Sequence, residues 1–291
     1  MNSPLRIAVT GANGQLGRLV IEALATRLTP GAVVALVRDP AHLSAPFPNG
    51  VEVRQGDYER AQTLDAALTD VDRLLLISSN ALGARVVQHR NVIRAATRAG
   101  VKRLAYTSVL RADTSSLGLA EEHRQTEALI RTSGLAYTLL RNGWYTENYA
   151  ASIPVALAHG AFLGSAGDGR ISTAARQDYA EAAARALIED TGPQVVHELA
   201  GDGSYSLTEF AAEIARQSGK PVAYAHLPEA EFRNTLIGAG LPEPVADLLS
   251  NSDAAAAKGA LFDRSTQLSR LIGRPTTPFE ATIAKALAAG G

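Results

Sequence analysis

Two periodicities alternate through the first half of the chain. Short, nearly continuous apolar runs read as strands: LRIAVT (5–10), VVALV (33–37), VEVRQG (51–56), RLLLIS (73–78), RLAYTS (103–108) and AYTLLR (136–141). Between most of them, apolar residues recur at helical spacing over 16–28, 60–69, 83–99 and 121–133. The connection 40–47 is short and broken by prolines, and Gly100 and Gly134 stand where helices would stop. Strands apolar on both faces, alternating with helices, predict an α/β fold with a doubly wound parallel sheet covered on both sides.

The texture changes near residue 150. AFLGSAGDGRISTAA (161–175) reads as a hairpin or loop pair turning at Asp168-Gly169. A helix over 177–189 and a late strand VVHELA (195–200) return to the main sheet. Ser206-Leu207-Thr208-Glu209 is a capping box for a helix ending at Gly219. After VAYAHL come helices near 228–238, 243–257 and 265–272. The expected organisation is a nucleotide-binding domain over 1–150 with 175–200 returning to it, and a smaller, mostly helical lobe made of 151–174 and 201–291.

The glycine turn TGANGQLG (10–17) sits between the first strand and the first helix. A strand, a tight glycine turn and a helix start suit a diphosphate. Glycine permits positive φ and close backbone approach, and the free N–H groups of the helix N-terminus favour negative charge. A glycine pattern alone is also an ordinary tight connection. Its place at the head of an alternating chain makes it a Rossmann-type dinucleotide site. At the end of the second strand, VRDP carries Arg38, whose planar donors suit the 2′-phosphate of NADP(H). Asp39 keeps an NAD-type reading open by a one-residue offset. Ser78-Ser79, Thr107-Ser108 and Asn142-Gly143 follow strands on the edge where such sheets bind ligands. Asp57 either reaches an adenine amino group or caps the next helix, and the residues do not decide between these.

Composition narrows the partners. The net charge is -1 over 291 residues, and lysine occurs only at 102, 220, 258 and 285, which argues against nucleic acid. The absence of cysteine removes disulfides, thiolate nucleophiles and cysteine-ligated metals. The six histidines show neither H-x-H nor H-E-x-x-H spacing, so no metal is expected. No apolar run reaches the roughly 18 residues of a membrane span. With no leader pattern in MNSPLRIAV, the expected location is the cytoplasm, without membrane insertion.

Hydride chemistry then needs an acceptor. The Tyr-x-x-x-Lys pair of alcohol-level carbonyl reduction is absent, because Arg98, Arg216, Ala254 and Ala281 precede the four lysines by four positions. The helix that would carry it reads His123-Arg124-Gln125-Thr126-Glu127. A small aromatic acceptor whose hydride adduct is already stabilised fits better: a quinone, or a cationic triarylmethane dye. His123 is a candidate proton source or ring holder, although a lone helical histidine is more often a packing residue. RNGWYTENY (141–149) gathers the only Trp, two Tyr, two Asn and one Glu after the sixth strand, a composition suited to a flat ring. It also suits a helix start with buried aromatics. Asn142 and Tyr145 are the other weak catalytic candidates.

The motifs TGANGQLG, VRDP, QGDY, LLLISS, QHRNVIRAA, AGVKRLAYTS, LGLAEEH, YTLLRNGWYTENY, ELAGD, SGKPV, KGALFD and LIGRPTT resemble the NmrA-like, atypical branch of the short-chain dehydrogenases/reductases. Within it they resemble the bacterial NAD(P)H:quinone oxidoreductase type 2 pattern over essentially the whole chain. The resemblance implies a two-lobed, flavin-free, metal-free enzyme passing two electrons from NADPH to a quinone. Its implied cofactor contacts are Gly11, Ala12, Asn13, Gly14, Gln15, Leu16, Arg38, Ser78, Ser79, Asn80, Gly143, Trp144, Tyr145, Thr146, Glu147 and Asn148, to which the reading of the residues adds Asp57. Dye- or azo-reducing members and NADP(H)-sensing regulators are the alternatives, and a homodimer is compatible with all three. Asn13 departs from the threonine common in relatives at that position.

Overall fold

In the computed structural model, residues 5–289 are described; residues 1–4, on which the expectation of no leader partly rests, lie outside them. The strands are Ile7–Val9 (β1), Val33–Val37 (β2), Val51–Gln55 (β3), Arg73–Leu76 (β4), Arg103–Val109 (β5), Ala136–Asn142 (β6), Ala161–Gly164 (β7), Gln194–Leu199 (β8) and Ala223–His226 (β9). The helices are Gln15–Ala25 (α1), Ala61–Ala67 (α2), Arg85–Arg98 (α3), Ala120–Arg131 (α4), Thr146–Ala150 (α5), Ile153–His159 (α6), Arg176–Glu189 (α7), Leu207–Ser218 (α8), Glu229–Gly238 (α9), Glu243–Ala256 (α10), Gln267–Ile272 (α11) and Phe279–Ala289 (α12). Among the described residues, no helix is long and apolar enough to cross a membrane.

Seven strands form one sheet in the order β3-β2-β1-β4-β5-β6-β8, and the pairings from β3 through β6 are parallel. Every residue of β1, β2 and β5 is buried, as strands covered on both faces require. This confirms the expected Rossmann-type architecture. The strand order reverses between β1 and β4, which opens a crevice at their carboxyl ends.

By internal contacts the chain divides into two units. One holds the chain through Ala112 with Glu121–Asn142 and Tyr179–His197; the other holds Asp113–Ala120, Gly143–Asp178 and the chain from Glu198 onward. The chain passes between the units after Ala112, Ala120, Asn142, Asp178 and His197. In the second unit the capping box forms as expected: Glu209 N–H donates to Ser206 Oγ (3.2 Å), and Ser206 N–H donates to the Glu209 carboxylate (2.7 Å).

Of the hairpin or loop pair read over 161–175, the loop form is present: Gly169 N–H donates to Ala166 O (2.9 Å), and no hairpin forms among the described residues. β7 instead pairs in parallel with β9, more than fifty residues away in sequence. The reason lies at Gly169, where a Cβ would stand 2.5 Å from Ala256 O and 2.8 Å from Ala257 Cα. The chain at Gly169 packs on the end of α10, and Ile171 forms an antiparallel bridge with Tyr205 rather than with β7. Helices α5, α6 and α12 were likewise not legible in the pattern, two of them being shorter than eight residues.

The join between β1 and α1 is the tightest in the first unit. Gly11 has φ +57°, and a Cβ on Gly17 would lie 2.4 Å from Gly11 O and 2.7 Å from Ala12 Cα. Both contacts are with backbone, so nothing flexible can yield. Gly17→Ala is expected to cost about 1–3 kcal/mol of stability. Urea unfolding of the variant would measure this, and an unchanged midpoint would show that the turn relaxes.

Candidate functional site

A cavity of about 510 Å³ lies over the carboxyl ends of β1 to β4. It brings together Gly11, Asn13, Gly14, Gln15, Leu16, Arg38, Asp57, Ser78, Ser79 and Asn80. Ala12 is not among its walls: it is fully buried, and its N–H donates to Leu36 O (3.2 Å), so its side chain serves the core. Gly14 is the N-cap of α1, and no side chain caps the helix. The first-turn N–H groups are thus left to whatever fills the cavity, which is the arrangement that holds a phosphate anion.

At the end of β2, Asp39 is engaged by its own turn. Its Oδ2 pairs with His42 Nδ1 (2.6 Å), and its Oδ1 accepts from Ala41 N–H (2.9 Å). The His42 contact, then the Ala41 amide, hold its carboxyl below the usual range. Arg38 is exposed and lines the cavity. Asp57 caps no helix. Its Oδ1 accepts from Glu59 N–H (3.0 Å), while α2 begins after Arg60.

The turn after β4 is held from beneath. His89 Nε2 accepts from Ser79 N–H (2.9 Å), so Nδ1 carries the hydrogen and donates to Thr126 Oγ1 (2.9 Å). Arg85 Nε donates to Ser79 O (2.7 Å) and its guanidinium pairs with Glu122 (3.2 Å). Thr107 Oγ1 accepts from Ser78 N–H (2.8 Å). Tyr58, missed in the sequence reading although it follows Asp57 directly, also lines the cavity; its hydroxyl donates to Thr10 Oγ1 (2.5 Å). His42 and Gln88 were missed too, because a proline-broken loop and a helix interior carry no site signal.

His123, the candidate proton source, lies on α4 and is not among the walls of this cavity. It is buried, with Nδ1 2.7 Å from the Tyr106 hydroxyl oxygen. Burial, then the charge of Arg85, push its pKa well below the ordinary value, so it is neutral. Burial pushes the Tyr106 hydroxyl above its usual range. Ser108 Oγ gives its hydrogen to Glu127 Oε1 (2.6 Å). Burial pushes the Glu127 carboxyl up, but Arg141 (3.0 and 2.8 Å) and Ser108 outweigh it and keep it ionised. At neutral pH the Tyr106 hydroxyl therefore keeps its hydrogen and is a weaker acid than a free tyrosine. Asn142 is buried at the end of β6, and its Oδ1 has no hydrogen-bond partner among the described residues.

Gly143 through Asn148 belong to the second unit. Glu147 accepts from Arg176 N–H with both oxygens (3.0 Å each) and so caps the start of α7. Tyr145 lies under the Arg176 guanidinium at 4.9 Å, Asn148 Oδ1 is 3.4 Å from Arg176 Nη2, and Thr146 Oγ1 is 2.8 Å from Thr173 Oγ1. Gly143 and Trp144 are half-buried, and Gly143 N–H donates to Leu199 O (2.7 Å). Much of the segment's polar capacity therefore holds its own unit together.

An open helix N-terminus behind a glycine turn, at the switch point of a parallel sheet, defines a dinucleotide-binding Rossmann protein. A family model described as NAD(P)H-binding matches residues 11–190, and the chain belongs to that family. Quinone oxidoreductase 2 of Escherichia coli (strain K12) is 54% identical over 277 residues, covering 95% of this chain and 97% of that protein. The crystal structure of the NADPH-dependent quinone oxidoreductase from E. coli complexed with NADPH has a TM-score of 0.92 at 53% identity, covering 97% and 99% of the two chains. The Citrobacter sp. triphenylmethane reductase complexed with NADP(H) has a TM-score of 0.88 at 36% identity, covering 96% and 99%. The resemblance read from the motifs is borne out.

The neutral histidines make stability depend on pH. Burial, then Arg85, lower the His89 pKa to about 3, against an ordinary value of 6.5. Between those values the unfolded chain binds the extra proton, so stability falls as pH drops through this window. Urea unfolding from about pH 7 to about pH 5 should lose up to about 1.4 kcal/mol per pH unit for each such histidine. His89→Gln should flatten the slope; an unchanged slope would mean that His89 takes up protons in the folded state.

Proposed function

We propose that the protein is a flavin-free reductase that uses NADPH for the two-electron reduction of quinones. The observation that carries this is the cavity over the uncapped start of α1. It occurs in a chain 54% identical over nearly its whole length to a quinone oxidoreductase. When bound, NADPH supplies the hydride. The backbone from Gly11 to Leu16 holds the pyrophosphate, with Ala12 acting only through the chain and not its side chain. Arg38 meets the 2′-phosphate, Asp57 faces the adenine end, and Ser78, Ser79 and Asn80 border the ribose next to the nicotinamide. The assignment of Gly143, Trp144, Tyr145, Thr146, Glu147 and Asn148 to the nicotinamide end rests on the motif resemblance.

The groups at the end of β5 and on α4 fit this acceptor class. Tyr106, His123 and Ser108 have their hydrogens or lone pairs engaged, and none titrates toward neutrality as an acid. A quinone tolerates that. Its hydride adduct is a hydroquinone anion, which takes the second hydrogen from water as a proton. A cationic triarylmethane dye is the second acceptor reading, favoured by the 36% identity to a triphenylmethane reductase. The same proposal takes the protein to act in the cytoplasm, without nucleic acid or membrane as partners, and with a homodimer as its candidate assembly.

Purified, flavin-free protein should oxidise NADPH with benzoquinone-type acceptors. Binding without turnover across a quinone and dye panel would instead mark a nucleotide sensor. Arg38→Ala should weaken NADPH binding by about 1–3 kcal/mol, with far less effect on NADH. Equal losses for both would show that Arg38 does not read the 2′-phosphate.

A further inference from the structure

We infer that Asn13 and Arg18 are positioning residues whose clamp on the loop after β2 sets the preference for the 2′-phosphorylated dinucleotide. This rests on the cofactor reading above. Residues 40–47 form neither helix nor strand, so their backbone groups need partners from elsewhere. Asn13, in the glycine turn, donates Nδ2–H to His42 O (3.1 Å). Its Oδ1 accepts from Ser44 N–H (3.0 Å) and Ser44 Oγ–H (3.0 Å). Arg18, on the first turn of α1, donates Nε–H to Ser44 Oγ (2.7 Å), and Nη2 to Ala45 O (2.6 Å) and to Asn13 Oδ1 (2.7 Å). Its guanidinium also covers the Phe47 ring at 4.6 Å.

The clamp ties the loop to the same turn that faces the phosphates. By holding His42 through its carbonyl, it keeps the imidazole beside Asp39. An exposed Asp–His pair is weak by itself, so the tether decides whether it persists. While it persists, each Asp39 oxygen already accepts one hydrogen bond, so a ribose 2′-hydroxyl has to compete with His42 and Ala41 for the carboxylate. Arg38, on the same cavity wall, has no side-chain partner among the described residues. The result is a preset cavity wall on which the cation is unpartnered and the neighbouring anion is already partnered. A loop already ordered costs nothing to order on binding.

Threonine at position 13 would undo this. One hydroxyl has one hydrogen, and it cannot replace an amide that gives to His42 O while accepting from two groups of Ser44 and one of Arg18. The test is direct titration of NADPH and NADH by calorimetry for wild type, Asn13→Thr and Arg18→Met, with amide hydrogen exchange over 40–47. For both variants the NADPH Kd should rise about tenfold and the NADH Kd by less than about twofold, the scale of a lost charge-assisted contact plus loop ordering. Protection of the Ser44 amide should fall with it. An unchanged NADPH:NADH ratio, or equal losses for both, would overturn the clamp while leaving the cofactor reading intact. A wild type that binds neither dinucleotide would overturn both.

Discussion

The approach of Gly17 Cα to the Gly11 carbonyl is the constraint from which the site follows. It brings α1 down onto the end of β1 at a distance no side chain allows. The uncapped helix start is then aimed at the crevice where the strand order reverses. Phosphate affinity at such a place comes from backbone dipoles and N–H groups, so it depends on where the helix begins and not on any side chain in the turn. The side chains around it instead set what else the cavity accepts. Arg38 supplies charge, and Asn13 with Arg18 hold the neighbouring loop.

The buried polar layer behind the cavity has the opposite character. His89 with Thr126, Tyr106 with His123, and Ser108 and Arg141 with Glu127 are joined by hydrogen bonds. Buried polar groups left unsatisfied would cost more than the network contributes, so closure is what makes the layer tolerable. Closure also makes it chemically quiet. A hydride acceptor that yields a stabilised anion makes no demand on this layer for an acid. The same layer holds both ends of the Ser79 peptide, through His89 and Arg85, and so shapes the cavity wall.

Particular residues show how far the sequence could be read. Gly11, Gly14, Arg38 and Ser78 were legible because each sits at the end of an apolar run, where a parallel sheet puts its ligands. Tyr58, His42 and Gln88 were not, because they come from a turn, a loop and a helix interior that only the packing of distant elements brings to the cavity. Ala12 looked like part of the glycine motif but turns inward, since alternate positions along a turn face opposite sides. Asp168-Gly169 had hairpin chemistry without a hairpin, because Gly169 packs on Ala256 and Ala257 and Ile171 bridges to Tyr205 rather than to β7.

What the sequence determined alone is local and periodic: strands buried on both faces, the helices between them, and a glycine turn suited to a diphosphate. These follow from side-chain alternation and backbone sterics within a few residues. Tertiary structure decided the rest. It left His123 neutral, joined Asn13 to Ser44, gave Glu147 to the start of α7, and paired β7 with β9. Each outcome depends on groups far apart in the chain, and burial and hydrogen-bond partnership exist only once those groups have met.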